Sequence, residues 1–265
     1  MNVTKRRIVD DMQQNLGTKS GDRIVVHSSL KSMGYVEGGA VTVIEALLES
    51  VGGTDAGTLM IPCFSGPAAQ IDLRTVPCRL GAVPEAFRTY PGAVRSENCT
   101  HSVALIGKDA EAIAAAHRGK DPLAEGSPYH EFARLGGYVV HIGCDMSSCS
   151  LVHVAESIAK IPYQHVGFPG YEAPMTLIVD DDTRYVCETK EKPGCSKNFT
   201  IVQEELDRKG LIERGRIGEA EAMKIRGEDV LATAIELLRR DPSSLLCSRE
   251  QCTVCAGRRK FLAGL

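Results

Sequence analysis

The sequence predicts an α/β fold, and three observations carry that prediction. Short runs rich in valine, isoleucine and leucine alternate along the chain with segments whose apolar residues recur at helical spacing. The 265 residues are 43% hydrophobic and 25% charged, enough apolar material for one large core. No long linker, repeat or low-complexity stretch divides the chain, so residues 1–265 read as one domain with a cysteine-rich tail from 247 to 265.

In chain order, "RIVVH" (23–27) and "GTLMIP" (57–62) read as strands. Between them "AVTVIEALLESVG" has helical periodicity and stops at Gly52 and Gly53, as a helix C-terminus should. "SVALIG" and "GGYVVHIG" are apolar enough for buried strands, and "DAEAIAAAH" is a helix with acidic residues in its first turn. "MTLIVD" and "DDTRYVCE" form a hairpin turning at Asp181 and Asp182. Helices at 198–208 and 227–240 close the pattern.

The net charge of -3 and a pI near 6.2 give no electrostatic ground for binding nucleic acid, and no Lys/Arg block suggests a membrane surface. The N-terminal "MNVTKRRIVDDMQQNLG" lacks the apolar core of a signal peptide, and no window approaches the roughly 18 apolar residues of a membrane span. The expected location is therefore the cytosol. There, ten cysteines argue for reduced thiols or metal rather than a disulfide framework. Seven are scattered through the first 195 residues, while Cys247, Cys252 and Cys255 cluster in "CSREQCTVC". These three, with Cys195 or Cys187 as a fourth, are a candidate structural zinc site tying down the tail.

Three stretches concentrate the chemistry. "VVHSSLKSMGYVEGG" (25–39) places small hydroxyls and glycines directly after a strand, where backbone N–H groups can meet phosphate oxygens without crowding. On spacing alone the more ordinary reading is a turn in which Ser28 or Ser29 caps the next segment. Neither the P-loop nor the Gly-x-Gly-x-x-Gly pattern is matched, so nucleotide hydrolysis and hydride transfer lose their usual markers. In "DPLAEGSPYHEF", Ser127 is placed to N-cap a helix that has Pro128 at its first position. In "CSLVHVAESIAK", a helix would put His153 on one face with Glu156 and Ser157, and a carboxylate holding one imidazole nitrogen leaves the other able to take a proton near neutral pH. Cys63, His27 and His141 lie at strand ends or within apolar runs, where core packing explains them.

Read together and in order, "HSSLKSMGYVEGGAVTVIEALLESVGGTDAGTLMIPCFS", "GAVPEAFRTYPGAVRSENCTHSVALIGKDAEAI", "EGSPYHEFARLGGYVVHIGCDMSSCSLVHVAE" and "GRIGEAEAMKIRGEDVL" resemble the aminoglycoside 3-N-acetyltransferase family. The resemblance spans residues 20 to 245 and implies a central mixed β-sheet flanked by helices. That fold is distinct from the other large N-acetyltransferase superfamily, whose Gln/Arg-x-x-Gly-x-Gly/Ala loop is not matched by "GRIGEA" (215–220), with Gly215 in its first position. The resemblance also implies acetyl-CoA as co-substrate, along a path formed by His27, Ser28, Ser29, Leu30 and Lys31, then Ser102 and Val103, then Gly126 and Ser127. His153, in His153-Val154-Ala155-Glu156, would be the general base, and Glu156 would orient it or hold a substrate ammonium. Asp72 would face the amino-sugar.

The expected reaction is direct acetyl transfer to the 3-amino group of a 2-deoxystreptamine aminoglycoside, with antibiotic resistance as its consequence and no covalent enzyme intermediate. Expected partners are therefore the two small molecules, with no nucleic acid and no membrane, in a monomer or homodimer. The chain departs from the family where Asn98-Cys99 replaces a common His-Pro ahead of Thr-His-Ser, although His101 matches; residues 165 to 200 match least. Two alternatives stand beside this reading: the same transfer to another amine, and a zinc-stabilised interaction protein with a degenerate site.

Overall fold

The computed structural model describes residues 2–265. Along the chain, α1 (Lys5–Asn15) and β1 (Arg23–Ser28) precede α2 (Gly39–Ser50), β2 (Thr58–Pro62), β3 (Gln70–Asp72), α3 (Ala82–Arg88), β4 (Val94–Arg95) and β5 (Val103–Gly107). Then come α4 (Ala110–Ala115), α5 (Pro128–Arg134), β6 (Tyr138–Ile142), α6 (Leu151–Ile158), β7 (Met175–Ile178) and β8 (Arg184–Cys187). The remainder is α7 (Thr200–Arg208), β9 (Glu213–Ile217), β10 (Ala220–Arg226), α8 (Gly227–Arg240) and α9 (Thr253–Leu262).

A seven-stranded mixed sheet runs in the order β4-β5-β2-β1-β6-β10-β9. Its central trio β2-β1-β6 is parallel, with Val25 opposite both Met60 and Val139, and every outer pairing is antiparallel. Strand period sorts the core: Ile24 and Val26 face one layer with α1 and α2, while Val25 faces the other with α6 and α8. Burial on both faces explains why these strands read as continuous apolar runs. Each fully buried aliphatic contributes about 1.5–3 kcal/mol, so the two layers supply the main driving force for folding.

The predicted helix after β1 ends as expected. Gly52 adopts φ +89°, its N–H donates to the Glu49 carbonyl, and a Cβ there would fall 2.2 Å from Ser20 Oγ. The hairpin at Asp181–Asp182 also forms, with Asp180 Oδ1 accepting from the N–H groups of Asp182 and Thr183. It does not join the main sheet, however, but a separate one ordered β3-β7-β8.

Two further expectations need correcting. "DAEAIAAAH" is helical only over Ala110–Ala115, and the chain does not close with α8, because α9 follows it. In the hairpin β9–β10, β9 is the edge strand and mostly exposed, so its polar sequence hides it, while β10 is mostly buried between β6 and β9. No helix among the described residues is long and apolar enough to cross a membrane.

Candidate active site

The carboxyl ends of the parallel strands open together, which is where open α/β sheets place their ligands. Ser28 and Pro62 end β1 and β2 there, and both line a cavity of about 330 Å³. His153 faces that cavity from α6, a helix anchored by the buried Val152, Val154 and Ala155. One helical turn on, Glu156 Oε2 lies 2.6 Å from His153 Nδ1. Glu156 Oε1 accepts a second bond, 2.9 Å, from Arg258 Nη1 in α9. Burial works to raise the Glu156 pKa, but His153 and Arg258 outweigh it and hold the carboxyl below its ordinary value.

Phe199 meets the His153 ring edge-on at 4.7 Å. The histidine is thus fixed by a carboxylate and an aromatic wall, while no protein group among the described residues bonds its Nε2. A base with one nitrogen held and the other directed to a cavity can take a proton from a bound nucleophile.

Opposite stands His101, whose ring centroid lies 4.2 Å from that of Phe64. The Asn98-Cys99 departure acquires a structural meaning here. Asn98 Oδ1 accepts from the N–H groups of Thr100 and His101, at 3.0 and 2.9 Å, so an Asx turn presents His101 to the cavity. Burial, with His153 and His117 adding to it, depresses His101 to about 3.

A second cavity of about 590 Å³ is lined by Ser29, Leu30, Lys31 and Gly81. Ser28 and Leu80 line both cavities, so one groove crosses the end of β1. His27 also lines the first cavity and stacks on His141, with centroids 4.9 Å apart. Burial lowers His27 to about 4 and His141 well below its ordinary value, so both imidazoles are neutral.

The structure does not bring every expected residue to this groove. Ser102 is fully buried, donates to the Cys63 carbonyl at 2.8 Å and accepts from Arg95; Val103 is packed in β5, and neither lines either of these two cavities. Ser127 does precede α5, but its buried hydroxyl makes no cap bond, and Gly126 uses its N–H on His130 Nδ1. Both lie outside the two cavities. Asp72 lies in β3, lines neither cavity, and accepts from both Nε and Nη2 of Arg74. Glu156 is 3% exposed, lines neither cavity, and is bonded through both oxygens to His153 and Arg258.

Of the cysteines, Cys195 joins Cys247, Cys252 and Cys255, with all four Sγ atoms within 4.8 Å of one another. Cys187 instead packs in a separate cluster with Cys99. Arg258 is the residue that sequence reading missed. It lies mid-way along α9, and no local signal connects it to a carboxylate 102 positions away.

The family model for aminoglycoside 3-N-acetyltransferase matches residues 25–239. The chain belongs to that family. Aminoglycoside N(3)-acetyltransferase VIII of Streptomyces fradiae is 31% identical, over 88% of this chain and 91% of the relative. Among solved structures, a mutant of aminoglycoside acetyltransferase AAC(3)-IVa with histidine replaced by alanine, in complex with a gentamicin, superposes with a TM-score of 0.85 at 30% identity, covering 98% of each chain. The binary complex of AAC-IIIb with CoASH shares the fold, with a TM-score of 0.79 at 23% identity over 91% of this chain and 97% of that one. As an aminoglycoside 3-N-acetyltransferase by family, the protein is an acyltransferase, and its mixed-sheet α/β architecture is the family's own.

Proposed function

We propose that this aminoglycoside 3-N-acetyltransferase carries acetyl from acetyl-CoA directly to the 3-amino group of a 2-deoxystreptamine aminoglycoside, with His153 as general base. The observation that carries the reading is the 2.6 Å contact between His153 Nδ1 and Glu156, which leaves Nε2 to the cavity. As the neutral amine attacks the thioester carbonyl, nitrogen gains a bond to carbon and must lose a proton. His153 Nε2 takes it, Glu156 stabilises the imidazolium, and coenzyme A leaves as the thiolate. Such base assistance typically contributes about 10²- to 10⁴-fold. A relative crystallised with a gentamicin as a histidine-to-alanine mutant supports a histidine in this role.

The coenzyme follows the groove: the acetyl thioester beside His153, pantetheine past His27 and Ser28, and the phosphates toward Ser29, Leu30 and Lys31. This path is supported by the continuity of the two cavities at Ser28, and by a neighbour of the same fold that binds CoASH. Acetylation removes a positive charge and adds bulk, weakening a drug's contacts to RNA phosphates, which gives the resistance.

One observation favours a second reading, transfer to a less cationic amine. The cavity beside His153 has no carboxylate among its lining residues, whereas a polycation is best desolvated against carboxylates. Thiol release from acetyl-CoA, followed with a panel of 2-deoxystreptamine aminoglycosides and with simple monoamines, separates the two. Aminoglycoside-dependent turnover is expected; turnover with monoamines alone would replace the acceptor and keep the chemistry.

A further inference from the structure

We propose that Cys195, Cys247, Cys252 and Cys255 bind one thiophilic divalent metal, zinc in the first instance, and that this knot holds Arg258 as a positioning residue for the Glu156–His153 pair. The geometry is that of a tetrathiolate centre. Zinc–thiolate bonds of about 2.3 Å place neighbouring sulfurs of a tetrahedron about 3.8 Å apart. Cys195 and Cys247 Sγ stand 3.7 Å apart, and all four sulfurs lie within 4.8 Å of one another. Three of the cysteines are buried and Cys252 is half-buried, which gives an ion a way in. The Lys197 N–H points at Cys195 Sγ from 3.4 Å, the outer-shell contact that steadies a thiolate ligand. An all-sulfur donor set selects zinc over magnesium or calcium.

The placement of the four cysteines says what the metal would do. Cys195 lies in the loop that borders the catalytic cavity through Pro193, Gly194 and Ser196. Cys247 follows α8, Cys252 is the N-cap of α9 and Cys255 lies in its first turn. A free ten-residue helix is marginal in water, so α9 needs an anchor at its start. Arg258 comes three residues after Cys255, on the neighbouring face of the same helix. Its guanidinium is 1% exposed and bonds Glu156 Oε1, the Val166 carbonyl at 2.8 Å and the Lys192 carbonyl at 3.1 Å.

Gly194 completes the fit. A Cβ at this position would fall 2.4 Å from Arg258 Cζ, so only glycine lets the loop lie flat on the guanidinium. A metal joining Cys195 to α9 therefore fixes both sides of this contact. It sets the cavity wall and, through Arg258 and Glu156, the orientation of His153. A buried guanidinium–carboxylate pair tolerates little displacement, so loss of the knot should be felt at the base.

The metal half of the proposal is independent of which amine is acetylated, while the positioning half rests on His153 as base. The full chain is purified from zinc-supplemented culture and its metal measured by mass spectrometry; about one zinc per chain is expected. Exchange with Co²⁺ should give thiolate-to-cobalt charge-transfer absorption. Cys252→Ser with Cys255→Ser should abolish both signals and lower kcat by about tenfold or more, with the acetyl-CoA KM unchanged. If that variant does not fold, stripping zinc from the native enzyme with a chelator should lower kcat, and zinc should restore it.

Arg258→Ala should keep its zinc, lose kcat to a similar extent, and recover activity on addition of guanidinium ion. A native chain that neither carries nor takes up zinc or Co²⁺, or whose four thiols titrate as two disulfides, overturns the site. Zinc removal that leaves kcat intact, or an Arg258→Ala variant with native kcat, overturns the link to His153. If His153→Ala itself retains native turnover, the base assignment is what has failed, and the metal count still decides the site.

Discussion

His153 and Glu156 lie one turn apart on α6 with Nδ1 and Oε2 separated by 2.6 Å, and Arg258 holds the carboxylate from its other side. A histidine oriented in this way has a single nitrogen left for chemistry. The carboxylate behind it is fully buried, so its charge is sustained only by its two partners.

Glu156→Gln should therefore damage both function and stability. Glutamine keeps the shape but leaves the buried Arg258 guanidinium without a counter-charge, at a cost of about 3–5 kcal/mol. The urea midpoint should fall accordingly, and kcat should drop with it. An unchanged midpoint would mean that Arg258 finds another anion.

Acid should destabilise the protein well above the carboxylate range. Burial depresses His27 to about 4, His101 to about 3 and His117 to about 4, against 6.5 for a free imidazole. The unfolded chain thus takes up protons first. The stability these residues contribute is fully present above pH 6.5 and is lost as pH falls toward their folded values. Each can cost about 1.4 kcal/mol per pH unit across that window. Urea unfolding at about pH 7.5 and about pH 5.5 tests this; equal midpoints would contradict it.

Ser28 is the junction of the two cavities, so filling it should obstruct the donor path. Ser28→Leu should raise the acetyl-CoA KM by about tenfold, equivalent to about 1.4 kcal/mol of binding. The acceptor KM should move far less. The opposite pattern would place the coenzyme elsewhere.

The Asx turn at Asn98 should matter to the presentation of His101. Asn98→Ala leaves two backbone N–H groups unpaired and should cost about 1–3 kcal/mol, while Asn98→Asp should retain most of the stability. Equal stability of both variants would show that the turn holds without the side chain.

What could be read beforehand followed periodicity. β1, β2, β5 and β6 are buried on both faces and announce themselves as apolar runs, and α2 and α8 show their stripes. The pairing of His153 with Glu156 was legible because helical spacing makes i and i+3 neighbours. Arg258, and the choice of Cys195 over Cys187, depend on long-range folding that no local pattern encodes. Asp72 shows what a motif match leaves out: its carboxylate is paired with Arg74, two residues away, in β3 and outside both cavities. The burial of the Ser102 and Ser127 hydroxyls is equally invisible in sequence, because it is set by strand pairing and packing.

The most direct test of the central claim is acetyl transfer by His153→Ala, followed as thiol release from acetyl-CoA with a 2-deoxystreptamine aminoglycoside. The variant removes one of the two partners of Glu156, but the Arg258 bond remains, so it should still fold, with some loss of stability, and bind acetyl-CoA as the native enzyme does. Its kcat/KM should fall by about 10²- to 10⁴-fold, the usual contribution of a general base. Turnover within a few fold of native would show that proton removal does not pass through this histidine.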